Sequence, residues 1–485
     1  MKFIYDENAQ RLRKKFKLMK FLYGFLTICT LSMGLVFHCY ASTPSEKKQV
    51  SEALTLKDAL VAAYNQTYLT SAQHDVQGSA EGLSAAKRDW LPQASLQSSY
   101  TADFNSIRNS GSTNGSGQTH ASKNGVLLKQ NLFNGGKTTA GIRGGERGFD
   151  KAVASYYKQE SAVLFAVVKS YSDLVLKKSI YKVRLANQKV LEEQTNMAKV
   201  TNELGANTLS DVAQTESELA EIRAATTLTN AEVKSAQANF EKFTGFSESF
   251  TLQEPSLPSN LPQSKEEAVQ WAFQHNNELK AAEAEADQYK ESVQQVRADL
   301  LPSLDVSAGA SRNFTTNWGT GFAKQAANQF EAIATLSVPL DFRGSTQAGV
   351  RKQKYDAAKK RIDTINLRRG LIEAIVSKWE LMEAKQKNIS QTEEQVKAAK
   401  VAYESMKEEF AAGMKTTLHL LSMEQKYFAA QIKLLTAQQE HLQATYDLLK
   451  EIGILSAQSL DLPVKPFDGE GYKRNVPIWG TGIEE

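Results

Sequence analysis

ELGANTLSDV, residues 203–212, separates two long stretches of helical apolar periodicity, and Gly205 interrupts helix between them. The arrangement returns as EFAAGMKTTLHL at 409–420, where Gly413 follows Gly205 and Thr416 follows Thr208 by 208 positions. Outward from these two turns the match widens. Leu164, Val167, Tyr171 and Leu174 have the 3-4-3 spacing of coiled coils, and Ile372, Ile375, Trp379 and Met382 repeat those positions 208 residues later. Thr244-Gly245 closes the segment after the first turn, Ile452-Gly453 the segment after the second. Leu91-Pro92 and Leu301-Pro302 end the matching upstream helices. The chain is built twice, over 54–245 and 264–453, with a proline-containing linker at 246–263 and a tail at 454–485.

Each copy has the same predicted parts. Residues 54–91 read as helix, with Leu56, Ala59, Leu60, Ala63 and Tyr64 on one face. The period then changes to two. Over 93–107, Ala94, Leu96, Tyr100, Ala102 and Phe104 alternate with polar residues, and a second strand follows at 121–133 after a polar Gly/Ser/Asn loop. Residues 137–204 read as one helix, about 100 Å long at 1.5 Å per residue. Thr208 or Ser210 caps its return helix. In the second copy the strands are expected at 303–311 and 328–340 and the hairpin turn at 409–420. The absence of proline between Pro92 and Pro255, and between Pro339 and Pro463, permits helices of this length.

The first 41 residues have the layout of a signal peptide: Arg11, Arg13, Lys14, Lys15, Lys17 and Lys20, then an apolar run from Phe21, with Ala41 as a cleavage position. Met19 is an alternative start, and an uncleaved anchor is the alternative reading of the run. This segment holds seven of the Lys/Arg and two of the Asp/Glu, so the remainder carries a formal charge of −1 instead of +4. The basic balance that nucleic-acid binding requires is thereby lost. Both cysteines, Cys29 and Cys39, also lie in the leader, which removes disulfide and thiol chemistry from the rest.

Other chemistry fares no better. Strand, Gly135-Gly136-Lys137-Thr138, then helix is the context of a phosphate loop, but Asn131 stands where the first glycine is required, and PLDFRGST in the second copy has no Lys-Ser/Thr pair. His74, His120, His275, His419 and His441 are dispersed, without zinc-ligand spacing. No enzyme, cofactor or metal is expected.

Four strands with apolar outer faces cannot close a barrel, and lipid does not tolerate open edges, so several chains must share one sheet. At this point the chain resembles the TolC family of outer membrane channels over its whole mature length. The paired Leu-Pro motifs, the turns LFNGGK and PLDFRGS, the hairpins GANTLSDV and GMKTTLHLL, and the terminal Thr-Gly and Ile-Gly carry the resemblance. The family implies a homotrimer with a twelve-stranded transmembrane β-barrel, four strands per chain, continued by an α-helical coiled-coil barrel across the periplasm. It also implies a passive exit duct in the outer membrane for drug efflux or type I protein secretion. A periplasmic adaptor would open it and an inner-membrane pump of ABC or RND type would power it. The competing reading is a membrane-anchored periplasmic coiled-coil scaffold.

By the same resemblance the hairpin ends form the periplasmic mouth. Asp211 matches an acidic position of the first hairpin. His419 and Ser422 stand where the best-known acidic constriction has aspartates, and Lys415 where it has arginine. Phe410 and Lys415 are expected to tie neighbouring hairpins shut near Asp211, and three His419 side chains to make conductance pH-sensitive at about pH 6 to 7. Gly205, Ala206, Asn207, Thr208, Gly413, Met414 and Thr416 form the tips that meet the adaptor. Tyr100, Phe104, Phe314, Trp318, Phe322 and Phe330 lie near strand ends, where an aromatic girdle contacts outer membrane lipid.

Overall fold

The computed structural model describes residues 54–107, 115–205, 208–246, 251–258, 261–318 and 323–474. The expected leader, the tip residues Ala206 and Asn207, the girdle residue Phe322 and the end of the tail lie outside the described residues, as does the side chain of Trp318. The first repeat runs α1 (Leu56–Tyr64), a 3-10 turn (Thr67–Leu69), α2 (Thr70–Arg88), β1 (Gln93–Ile107), β2 (Gly115–Asn134), α3 (Lys137–Glu203) and α4 (Leu209–Thr244). The second runs α5 (Lys265–His275), α6 (Asn277–Ala298), β3 (Ser303–Trp318), β4 (Ala323–Ser337), α7 (Ser345–Ala411) and α8 (Thr417–Ile452), with a short α9 (Gly469–Arg474) behind it.

Two features depart from the sequence expectation. The helix expected at 54–91 is broken, and the break has a partner: Gln66 Nε2 donates to Thr244 O at 3.4 Å and the Tyr68 hydroxyl to Lys242 O at 2.8 Å. The interruption thus satisfies carbonyls that the C-terminus of α4 leaves open. Asn276 does the same in the second repeat, capping α6 through Leu279 N while its amide donates to Glu451 O at 2.7 Å. The strands also differ: β2 begins at Gly115, not 121, β3 continues to Trp318, not 311, and β4 covers 323–337, not 328–340. Ladder pairing carries β1, β2 and β3 through residues of loop-like composition, as Ile107 opposite Gly115 and Thr315 opposite Gln325 illustrate. Pro339, which has no N–H to donate, follows the end of β4.

The sheet is antiparallel with order β1-β2-β3-β4, so the β2–β3 pair joins the repeats and β1 and β4 each keep one unpaired edge. Its register collects most of the apolar residues on one face, Leu127 and Ile333 being among the exceptions. Leu96, Val126, Ala310 and Phe330 form one row across the four strands; Ala94, Leu128, Ala308 and Ala332 form the next.

Below the sheet, Leu164, Val167, Tyr171 and Leu174 of α3 are all buried among Phe240, Leu442 and Tyr446. The Tyr171 hydroxyl is shared between the carbonyl oxygens of Leu54 at 2.8 Å and Gln253 at 2.7 Å. Across the repeats, Lys137–Asp299, Arg143–Glu291, Lys151–Glu285 and Lys158–Glu278 step down the antiparallel α3–α6 pair. Such exposed pairs add little stability each, but like spacing on both helices fixes their register. The repeats are unequal on α7. Ile375 and Met382 are buried against Leu448 and Ile452, whereas Tyr355, Ile362, Ile365 and Ile372 form an uncovered apolar stripe.

Gly453 makes the closest approach to neighbouring backbone of the described glycines. Its φ is +92°, and a β-carbon there would lie 2.5 Å from His275 O and 2.7 Å from Asn276 Cα. Gly453→Ala is expected to cost about 2 kcal/mol or more, through left-handed strain and displacement of the Asn276 cap. Chemical denaturation with Gly245→Ala measured alongside checks this: at that site the β-carbon meets the flexible end of Gln66, so the smaller loss belongs there.

Candidate functional site

The free ends of the α3–α4 and α7–α8 hairpins gather the residues that the sequence marks at a mouth. Both hairpins turn on a left-handed glycine, Gly205 at φ +75° and Gly413 at φ +74°, with open space where a side chain would stand. The return helices begin differently. At α4, Thr208 and Asp211 form a complete capping box: Asp211 N donates to Thr208 Oγ1 at 3.2 Å, and Thr208 N to Asp211 Oδ2 at 3.2 Å. At α8 the partner of Thr416 is His419, whose Nδ1 lies 2.7 Å from Thr416 Oγ1, and no side chain caps a backbone N–H. The residues singled out as unequal, Asp211 and His419, therefore occupy the same third position of their helices.

Within one chain the latch residues are apart. Lys415 pairs with Glu409 of its own hairpin at 3.8 Å, while the Asp211 carboxylate is engaged by Thr208. Phe410 and Ser422 are half-buried. Around the tips stand four exposed apolar side chains, Leu204, Leu209, Met414 and Leu418, of which the sequence reading selected only Met414. Their positions beside the glycine turns were the available signal.

About two to four helical turns above the tips the hairpins meet. Leu191 of α3, Leu219 of α4 and Leu421 of α8 pack together, and Gln425 donates to Glu218. Beside them Glu424 is 1% exposed and accepts from Gln194 Nε2 at 2.6 Å. Glu424 Oε1 and Gln194 Oε1 are both buried without a hydrogen-bond partner. Burial pushes the Glu424 carboxyl up to about 7, against the opposing pull of the Gln194 hydrogen bond and the Lys407 charge. Its equivalent in the first repeat, Glu216, is half-exposed and paired with Lys199 at 2.7 Å. Sequence reasoning missed Glu424 because the repeat makes it look like a solvated twin of Glu216.

At the sheet end, Tyr100 and Phe314 share one row, and the Tyr100 hydroxyl lies 2.8 Å from His120 Nδ1. Phe104 meets the same imidazole edge-on. Phe330 sits further from the turns, in the row of Leu96, Val126 and Ala310. At the opposite border Trp90, Phe133 and Phe342 are exposed, and the sequence reading did not select them.

Residues 61–245 and 268–453, the two repeats, match the family model described as outer membrane efflux protein. The chain belongs to that family. Among curated relatives, the outer membrane efflux protein BepC of Brucella suis is 27% identical over 88% of this chain and 91% of its own length. The outer membrane protein TolC of Vibrio cholerae is 21% identical over 82% and 90%, and the alkaline protease secretion protein AprF of Pseudomonas aeruginosa 22% over 64% and 66%. Of solved structures, the outer-membrane channel OprN superposes with a TM-score of 0.71 at 18% identity, covering 82% of this chain and 90% of that one. The Campylobacter jejuni CmeC outer membrane channel gives 0.70 at 16%, covering 91% and 96%. This efflux-family chain is thus an outer membrane protein with the TolC-type fold, extending into the periplasm.

Proposed function

We propose that three copies of this chain form a passive exit duct, with twelve strands closed into one barrel and the α3–α4 and α7–α8 hairpins continuing it as a helical tube. The observation that carries this reading is that the subunit is unfinished on matching sides. The sheet leaves β1 and β4 unpaired, and α7 leaves Tyr355, Ile362, Ile365 and Ile372 uncovered. Rotational closure by identical copies removes both exposures at once. In this duct the exposed Leu204, Leu209, Met414 and Leu418 offer an apolar ring to a periplasmic adaptor, joined by Gly205, Ala206, Asn207, Thr208, Gly413 and Thr416. Lys415 and Phe410 reach the neighbouring subunit's hairpin near Asp211, and His419 and Ser422 line the aperture. An inner-membrane pump supplies the energy.

The test is direct. Outer-membrane fractions should contain a heat-modifiable trimer, and the purified protein in a planar bilayer should give long-lived conductance steps. A monomer, or trimers without conductance, would sink the duct. Adaptor crosslinking at Met414, lost in Met414→Asp, tests the tip assignment separately.

A further inference from the structure

The joint between the two repeats has a counterpart that one chain cannot make. Within the chain, α2, α3, α6 and α7 pack in that order. Leu83 of α2 and Phe149 of α3 share one apolar cluster, the ion-pair ladder links α3 to α6, and Lys360 of α7 reaches Glu285 of α6 at 3.2 Å. The long helix of the first repeat thus meets the short helix of the second. The reciprocal joint would set α7, the long helix of the second repeat, against α2, the short helix of the first. These two stand at opposite ends of the row.

The sequence repeat translates one joint into the other. The long helices, which begin at Lys137 and Ser345, are offset by 208; the short ones, which end at Arg88 and Ala298, by 210. Arg143–Glu291 then becomes Arg351 opposite Glu81, and Lys151–Glu285 becomes Lys359 opposite Asp75, so both central pairs keep their signs. The outer rungs lose their cations, with Ser345 opposite Asp89 and Asn366 opposite Tyr68. Arg351, Lys359, Asp75 and Glu81 are all exposed, and none joins an ion pair among the described residues. Close approach is provided for as well. In the α3–α6 joint, Gly144 and Gly148 of α3 lie beneath Glu291 and Gln288. At the equivalent positions α7 has no glycine, and α2 supplies Gly78 and Gly82 instead, exposed and with open space above each. Glycine inside an exposed helix is destabilising, and a second helix packing closely there accounts for it.

We infer that α7 of one copy seats on α2 of the next in the register that α3 and α6 hold within a chain, pairing Lys359 with Asp75 and Arg351 with Glu81 across the subunit boundary. The inference rests on the trimer reading and names the surfaces through which the trimer closes. The joint is head-to-tail, so three copies complete a ring in which within-chain and between-chain joints alternate. Exposed pairs of this kind set the register more than they add stability.

Carbodiimide coupling, which joins an amine to a carboxylate already in contact with it, tests this on the detergent-purified trimer. After denaturation, peptide mass spectrometry of the covalent dimer and trimer bands should find Lys359 joined to Asp75. The Lys151–Glu285 product, formed within one chain, should appear in the monomer band too. Lys359→Gln and Asp75→Asn should each deplete the covalent trimer band, and the exchanged pair Lys359→Asp/Asp75→Lys should restore it. A stable trimer in which the Lys359–Asp75 product is absent or confined to the monomer band overturns the inference. Coupling of Lys359 to Glu81 or Asp89 instead overturns the register, and with it the inference. So does an undiminished covalent trimer in both single variants. If a single variant does not assemble, the parent and the exchanged pair decide. Failure of the duct reading would appear earlier, as absence of the trimer before coupling.

Discussion

Ile362→Glu/Ile365→Glu is expected to leave the protein monomeric. Both side chains stand on α7 in a stripe with Tyr355 and Ile372 that no described residue of the same chain covers, although the opposite face of the helix buries Leu371, Ile375 and Met382. Burying an isoleucine contributes roughly 1.5–3 kcal/mol, so a trimer that covers the stripe three times gains more from it than from any exposed ion pair. The double variant withdraws that gain and sets two carboxylates where another subunit must dry the surface. The fold of each subunit should survive, because neither residue is in its core. Sedimentation velocity reads the association state and far-ultraviolet circular dichroism the helix content. Lys352→Glu, also on α7 but solvated, should remain trimeric. Trimers persisting in the double variant would show that copies do not meet on this stripe.

The stripe also shows where sequence reading stops. Periodicity located α3 almost to the residue, since a 67-residue helix repeats its signal many times. The 3-4-3 sets at Leu164 and Ile372 look interchangeable in sequence. Yet the first is wholly buried within the chain, while Ile372 helps form the uncovered stripe. That difference arises from which helices of the same chain pack on each, a nonlocal fact. Strand lengths failed for a related reason. Gly115 to Gln118 have no strand character of their own, and the ladder from Asn105 to Ile107 imposes it. At the hairpin ends, Asp211 and His419 were legible as an unequal pair, but their shared role as third-position partners of Thr208 and Thr416 needed helix starts known within one residue. Glu424 was invisible, because its meaning depends on Gln194 lying across the seam.

That seam gives the second large effect, a loss of stability as the medium turns alkaline. Gln194 of α3 donates to Glu424 Oε2, and an ionised carboxylate leaves both Glu424 Oε1 and Gln194 Oε1 buried and unpaired. A neutral carboxyl can return the hydrogen bond, its O–H donating to the amide oxygen, so one proton satisfies both atoms. The surrounding groups do not replace it. Lys407 of α7 attracts the charged form and Tyr403 of the same helix does not, while Glu218 of α4 is occupied by Gln425. With the carboxyl raised from its ordinary 4.5 to about 7, the stabilisation is complete below pH 4.5 and is lost as pH rises through about 7. The shift corresponds to about 3 kcal/mol per subunit, concentrated where the two hairpins meet above the tips. Thermal unfolding of the parent should therefore weaken between pH 5 and pH 8.5 on the order of this amount, and hydrogen exchange over 191–194 and 421–425 should accelerate in step. Glu424→Gln removes the ionisable group while keeping the shape. It is expected to flatten the profile and to match or exceed the parent's stability above about pH 8. If Glu424→Gln retains the parent's slope in that window, the proton on this carboxyl does not hold the hairpins together; if both slope and exchange protection change together, that proton is what holds the seam.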